Sequence, residues 1–120
     1  MIIYKAFTFA AAHRLPQVPQ SHKCSVMHGH TFRIEVCVRG PLQPKAGWVM
    51  DFADIAVAFD PLRETLDHKC LNDIEGLENP TSENIALWVW KRVKPLLPGL
   101  CRIVVQESAD SGCIYEGEGE

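Results

Sequence analysis

The sequence predicts an α+β domain in which two helices cover one face of a four-stranded antiparallel sheet, in the order ββααββ. Three observations carry this expectation. Residues 30–39 alternate, with Phe32, Ile34, Val36 and Val38 on one side and Thr31, Arg33, Glu35 and Arg39 on the other, Cys37 being the apolar member of the second set. A period of two marks a strand buried on one face. Helical spacing appears twice: in Phe52, Ile55, Phe59, Leu62 and Leu66, and again in Ile85, Trp88, Val89, Val93 and Leu96. Strand-like segments flank this helical pair on both sides, which points to helices gathered on one face of a sheet.

The elements follow in order. Met1–Ala12 reads as the first strand, with Phe7, Phe9 and Ala11 on one face and His13 next on that face. Arg14–Lys23 holds Pro16, Pro19 and Ser21 and reads as a loop. His30–Arg39 is the second strand, and Gly40-Pro41 and Pro44–Gly47 mark turns. Asp51 is the expected N-cap of the first helix. Pro61 falls inside the helical pattern, so a kink or two helical pieces are expected there. Asp67–Pro80 reads as a loop, and Thr81 or Ser82 caps the second helix, which Pro95, Pro98 and Gly99 end. Leu100–Glu107 is the third strand, with Cys101, Ile103, Val105 and Glu107 on one face. Ser108–Gly112 turns the chain into a short fourth strand, Cys113–Glu116, and Glu116, Glu118 and Glu120 form a solvated acidic tail.

Residues 1–120 are expected to form one domain, long enough for a core without disulfide staples. Hydrophobic residues make up 47% and charged residues 22%, an ordinary globular balance that excludes disordered and fibrous classes. The net charge of −3 offers no basic footprint for nucleic acid or for an anionic membrane surface. The apolar runs, such as Ile85–Trp90, are far shorter than the roughly 20 residues a spanning helix needs. Ala6–Ala12 is too short and too strand-like for a signal peptide, so a cytoplasmic location is expected. The five cysteines are widely spaced with no C-x-x-C, which reads as free thiols.

His28-Gly29-His30 places two imidazoles on one strand face, and by parity both continue the face of Phe32 and Ile34. If the first two strands pair, His13 joins them. Three histidines leave zinc an open fourth position, the catalytic form of the site, though three imidazoles also suit iron, nickel or copper. The other reading is hydrogen bonding at a strand entry. His22 lies in the proline-containing loop and is expected to be solvated. Cys24 precedes His28 by four residues. On spacing alone it is an unreactive loop thiol. Beside a bound cation a thiol ionises below its free value of about 8.5 and can act as base or nucleophile. Asp67-His68 is either a tuned acid/base pair or a surface pair or cap. Glu107 ends an apolar face, where it either accepts N–H groups of a ligand or has already reached solvent. Trp48, Trp88 and Trp90 read as packing residues.

Taken together, these pieces resemble the 6-pyruvoyltetrahydropterin synthase family of the tunnelling fold. The resemblance rests on Phe9-x-Ala11-Ala12-His13, Cys24-x-x-x-His28-Gly29-His30, Leu66-Asp67-His68, Leu71-Asn72-Asp73 and Asn79-Pro80-Thr81-Ser82-Glu83-Asn84, then Glu107 and Gly112-Cys113-Ile114-Tyr115. It runs from about Phe7 to Tyr115. The short spacer between Cys24 and His28 is similar to that of the family's carboxy-tetrahydropterin branch, which serves queuosine biosynthesis; biopterin-pathway members carry a longer one. Cys70 stands where the resemblance leads one to expect an aromatic residue.

The resemblance implies roles position by position. His13, His28 and His30 match zinc ligands, one ion per subunit. Cys24 matches the catalytic base, and Asp67 with His68 a proton relay on the other side of the substrate. Glu107 matches the carboxylate that anchors the pterin N–H edge, and Thr81, Ser82 and Glu83 match a segment lining the pterin pocket. The implied substrate is 7,8-dihydroneopterin triphosphate, with 6-carboxy-5,6,7,8-tetrahydropterin, acetaldehyde and triphosphate as products. The implied assembly is a homohexamer with active sites between subunits. The alternatives are the pyruvoyl-forming reaction, which keeps the side chain, and a non-catalytic zinc or pterin binder.

Overall fold

Two twelve-residue strands, β1 (Ile2–His13) and β2 (His28–Arg39), pair antiparallel along their full length, from Ile2 opposite Arg39 to His13 opposite His28. The computed structural model describes residues 1–119; Glu120 of the expected acidic tail lies outside the described residues. Alternation separates the two faces of this pair. Phe7, Phe9, Ala11 and His13 of β1 and Phe32, Ile34, Val36 and Val38 of β2 are buried, while Tyr4, Ala6, Thr8, Ala10 and Thr31 are exposed. Phe9 stacks on Phe32 across the strands, ring centroids 5.1 Å apart, and Phe7 stacks at 4.3 Å on Phe59 of the first helix. Each such side chain stabilises the fold by roughly 1.5–3 kcal/mol through apolar burial.

The first helix, α1, spans Phe52–Leu66, and the Ala53 N–H donates to Asp51 Oδ1 at 2.9 Å, the expected cap. Ile55, Ala58, Phe59, Leu62 and Leu66 form its buried stripe. Of the two expectations at Pro61, division into two pieces does not occur: the helix runs through as one element. Proline removes the hydrogen bond to the carbonyl four residues earlier. Here that residue is Val57, which is 72% exposed, on the solvent side of the helix.

The stretch after α1, expected as a loop, contains a two-residue strand, β3 (Lys69–Cys70), parallel to β1. The sheet therefore has five strands, in the order β3-β1-β2-β4-β5, rather than four. Two residues show no alternation, so sequence periodicity could not reveal β3. Buried Leu71 and Leu77 pin the rest of this connection to the core.

The second helix, α2, spans Ser82–Val93 and is capped by Thr81, whose Oγ1 accepts from the Asn84 N–H at 3.1 Å. Ile85, Ala86, Trp88, Val89 and Val93 are buried. Leu96, expected on this stripe, is 61% exposed, and Leu97 is buried in its place. The helical period does not extend that far, because α2 ends at Val93.

β4 (Leu100–Ser108) pairs antiparallel with β2, and β5 (Ser111–Tyr115) with β4. Leu100 faces Val38 and Arg102 faces Cys37, so Cys101 is the extra residue of a bulge. The expected face shared by Cys101 and Ile103 is therefore broken, and Leu100 takes the buried position. Both helices pack on the sheet, α1 against β1 and α2 against β4 and β5. No helix among the described residues is long and apolar enough to cross a membrane.

Candidate metal centre and active site

The last residue of β1 and the first of β2 are both histidines, and strand register makes them a cross-strand pair. His30 sits two residues along β2 on the same face. The three rings converge at one end of the sheet: His13 to His28 at 4.6 Å between centroids, His13 to His30 at 5.1 Å, and His28 to His30 at 4.8 Å. One nitrogen from each lies within 4.8 Å of the others.

Backbone carbonyls set the tautomers. His13 Nδ1 lies 2.8 Å from the Pro80 carbonyl and His28 Nδ1 lies 2.7 Å from the Val26 carbonyl. A carbonyl only accepts, so each Nδ1 carries the proton and each Nε2 keeps its lone pair. His13 is 1% exposed, and the Nε2 atoms of both His13 and His30 are buried without a hydrogen-bond partner. Leaving a buried polar atom unsatisfied costs about 1–3 kcal/mol. Burial, the largest influence, lowers the His13 pKa below the usual 6.5, with the Pro80 carbonyl opposing it. His13 is thus neutral at pH 7, the state in which imidazole binds a metal.

Nitrogens converging from three rings, two of them buried and orphaned, fit a borderline divalent cation. Two nitrogens held at about 2.1 Å from one ion lie at most about 4.2 Å apart, so a bound ion would draw the widest pair together.

Glu107, near the end of β4, is half-buried beside this cluster. Its Oε2 lies 3.5 Å from His30 Nε2, too loosely placed to satisfy that nitrogen as a hydrogen bond. Its Oε1 accepts from Ser82 Oγ at 2.7 Å, at the start of α2. Glu107 has therefore not run out into solvent. Cys24 sits in a one-turn 3-10 helix, Lys23–Ser25, and is half-buried. A cavity of about 500 Å³ is lined by Lys23, Cys24, His28, His30, Glu107, Ser108, Asp110 and Ser111. A smaller cavity of about 300 Å³ is lined by Ser82, Glu83, Glu107, Ser111 and Gly112. Glu107 is shared by the two.

The Asp67-His68 pair stands elsewhere. Asp67 caps the C-terminal end of α1, and its Oδ1 accepts from the Ala10 N–H at 3.0 Å and lies 3.0 Å from His68 Nδ1. The Ala10 N–H, then His68, hold the Asp67 carboxyl below the usual carboxylate range. His68 has φ 59, the one positive value at a non-glycine position among the described residues, and its side chain is 81% exposed. It borders a cavity of about 650 Å³ lined largely by outward-facing Ala10, Ala12, Gly29 and Thr31, with Lys69, Cys70 and His30. Within one chain, Cys24 and His68 therefore open onto different cavities.

The model of the 6-pyruvoyl tetrahydropterin synthase family matches residues 2–118. The chain belongs to this family. Among its relatives, a Synechocystis 6-carboxy-5,6,7,8-tetrahydropterin synthase is 42% identical, over 95% of this chain and 92% of that protein. A Pyrococcus furiosus dihydroneopterin monophosphate aldolase is 44% identical, over 96% of each chain. The structure of Caenorhabditis elegans 6-pyruvoyl tetrahydropterin synthase superposes with a TM-score of 0.89 at 26% identity, covering 98% of this chain and 96% of that one. The tunnelling fold and membership of an enzyme family of pterin metabolism follow.

Against the family resemblance, the structure brings together His13, His28, His30, Cys24 and Glu107, with Ser82 and Glu83 beside Glu107. Thr81 is not a wall residue of these cavities, because its hydroxyl caps α2. Cys70 Sγ lies 4.0 Å from Met27 Sδ. His22 is exposed, as expected, and its Nδ1 also accepts from the Cys24 N–H at 3.0 Å. The signal for that contact was the two-residue spacing, which matches an Asx-type turn. The orienting carbonyls of Pro80 and Val26 carry no side-chain signature and could not have been found in the sequence.

Proposed function

We propose that this chain is a zinc-dependent carbon–carbon lyase. It converts 7,8-dihydroneopterin triphosphate and water to 6-carboxy-5,6,7,8-tetrahydropterin, acetaldehyde and triphosphate, in the cytoplasm and in service of queuosine biosynthesis. The observation that carries this reading is the convergence of three imidazoles, two with orphaned buried Nε2 atoms, beside a cavity that His28 and His30 line together with Cys24 and Glu107.

His13, His28 and His30 would hold the zinc ion. Bound there, zinc supplies Lewis acidity, of the kind that lowers the pKa of water from about 15.7 to about 7. The chain's own residues do the rest. Glu107 accepts the pterin N–H groups, with Ser82 Oγ holding one carboxylate oxygen in place and Glu83 beside it, while Thr81 caps the helix that carries Ser82. Lys23 offers positive charge to the triphosphate. Cys24, as thiolate, takes a proton from a side-chain carbon. Asp67 orients His68, which moves protons on the other face. Triphosphate leaves, the bond between the first two side-chain carbons breaks, and water provides the second carboxylate oxygen. Cys24 and His68 line different cavities that have His30 in common, and the proposed relay comes from a neighbouring subunit of a homohexamer.

A second reading has an observation of its own: the relative named as a dihydroneopterin monophosphate aldolase is as similar as the carboxy-tetrahydropterin relative. Product analysis separates the readings. The zinc-loaded protein is incubated with dihydroneopterin triphosphate and, separately, with dihydroneopterin monophosphate; the pterin is identified by mass and acetaldehyde is assayed. The expected result is the carboxylated tetrahydropterin with equimolar acetaldehyde from the triphosphate. A pyruvoyl product without acetaldehyde would move the protein to the biopterin-type reaction. Cleavage of the monophosphate alone would make it an aldolase, and no turnover with bound zinc would leave a pterin binder.

A further inference from the structure

We propose that His22 is a positioning residue for Cys24, holding the turn that presents the thiol to the cavity. The inference rests on the reading of Cys24 as the base. Both backbone groups of Cys24 are engaged: its N–H donates to His22 Nδ1 at 3.0 Å, and its carbonyl accepts from the Leu15 N–H at 2.8 Å. The Ser25 N–H donates to the His22 carbonyl at 3.0 Å, and Ser25 Oγ to the Gln20 carbonyl at 2.9 Å. The Val26 N–H donates to the Lys23 carbonyl at 3.3 Å, while the Val26 carbonyl accepts from His28 Nδ1. One short run of hydrogen bonds thus joins the His22 ring, the Cys24 backbone and the carbonyl that orients a histidine of the candidate metal site.

In this run the His22 ring is the side chain that caps the Cys24 N–H, the second of the turn, which would otherwise be left to water. His22 is exposed and contributes no core packing, so its removal leaves the fold intact while loosening the turn. A displacement of about 1 Å at a reacting group can cost on the order of a hundredfold in rate. The contact spans a residue and the N–H two positions on, the geometry that an Asn side chain satisfies in an Asx-turn. His22→Asn should therefore restore what His22→Ala loses.

The test compares wild type, H22A and H22N, all zinc-loaded, for turnover of dihydroneopterin triphosphate and for hydrogen exchange at the Cys24 amide. The expected result for H22A is a kcat about tenfold or more lower, an unchanged KM, wild-type zinc content and faster Cys24 amide exchange. H22N should return both kcat and exchange close to wild type. Wild-type kcat in H22A, or no rescue by H22N, would overturn the proposal. C24A is measured alongside. Full turnover in C24A would remove the reading of Cys24 as base and His22's catalytic part with it. An inactive C24A beside a fully active H22A would remove the His22 proposal alone.

Discussion

At His13, burial disfavours the protonated ring, and the Pro80 carbonyl fixes which nitrogen keeps its lone pair. Cys24 and Glu107 share the adjoining cavity but would differ in task, and single substitutions separate them. Cys24→Ala is expected to lower kcat by about 10²–10⁴, the range of a lost general base, while zinc content by metal analysis stays at the wild-type level. Glu107→Gln keeps an acceptor for Ser82 Oγ but loses the charge. It should raise the dissociation constant for a dihydropterin, read by fluorescence titration, by roughly ten- to a hundredfold, as for a lost charged hydrogen bond. Asp67 gives a pH prediction. Its carboxyl is held below the usual range chiefly by the Ala10 N–H, so the native state prefers it ionised more than the unfolded chain does. That contribution is present above the unfolded value of about 3.9 and is lost as pH falls through the lower folded value. Asp67→Asn should therefore flatten the acid limb of a stability-against-pH curve, whereas an unchanged limb would contradict it. The three histidines were legible because strand parity fixes direction: an H-x-H on an apolar strand face aims two imidazoles together, whereas Cys24 and Asp67 were singled out by the family resemblance alone. The backbone partners were not legible, since Pro80 lies 67 residues from His13 and a carbonyl leaves no mark on composition.

At the element scale, α1 and β3 show where sequence patterning runs out. Helical spacing located α1, and the helix passes Pro61 as one element, with exposed Val57 four residues earlier. Pro61→Ala restores an N–H to that carbonyl and should raise stability in urea by up to about 3 kcal/mol; a lower midpoint would show that the ring's packing or its effect on the unfolded chain outweighs the bond. β3 escaped detection because two residues carry no period, though they dock the Asp67-His68 segment on β1. The docking bonds are those of Ala10, whose N–H reaches Asp67 and whose carbonyl accepts from the His68 N–H at 2.6 Å. The bulge at Cys101 is likewise a property of pairing, visible only once β2 is opposite β4.

For the whole molecule, Cys24 and His68 line different cavities, with His30 a wall residue of both. The resemblance leads to a hexamer with shared sites, and in the proposed mechanism a neighbour supplies the relay. Mixing C24A with H68A subunits, each inactive alone, should then regenerate turnover once subunits exchange; persistent inactivity in verified mixed oligomers would confine both residues to one chain's chemistry. The metal centre underlies all of these roles. Its most direct test is zinc reconstitution of chelator-stripped protein, following bound metal and turnover together, with His28→Ala beside wild type. The account predicts that activity returns in step with one zinc per chain in wild type and that His28→Ala gains neither metal nor turnover. Turnover by the stripped protein, or equal zinc uptake by His28→Ala, would contradict it.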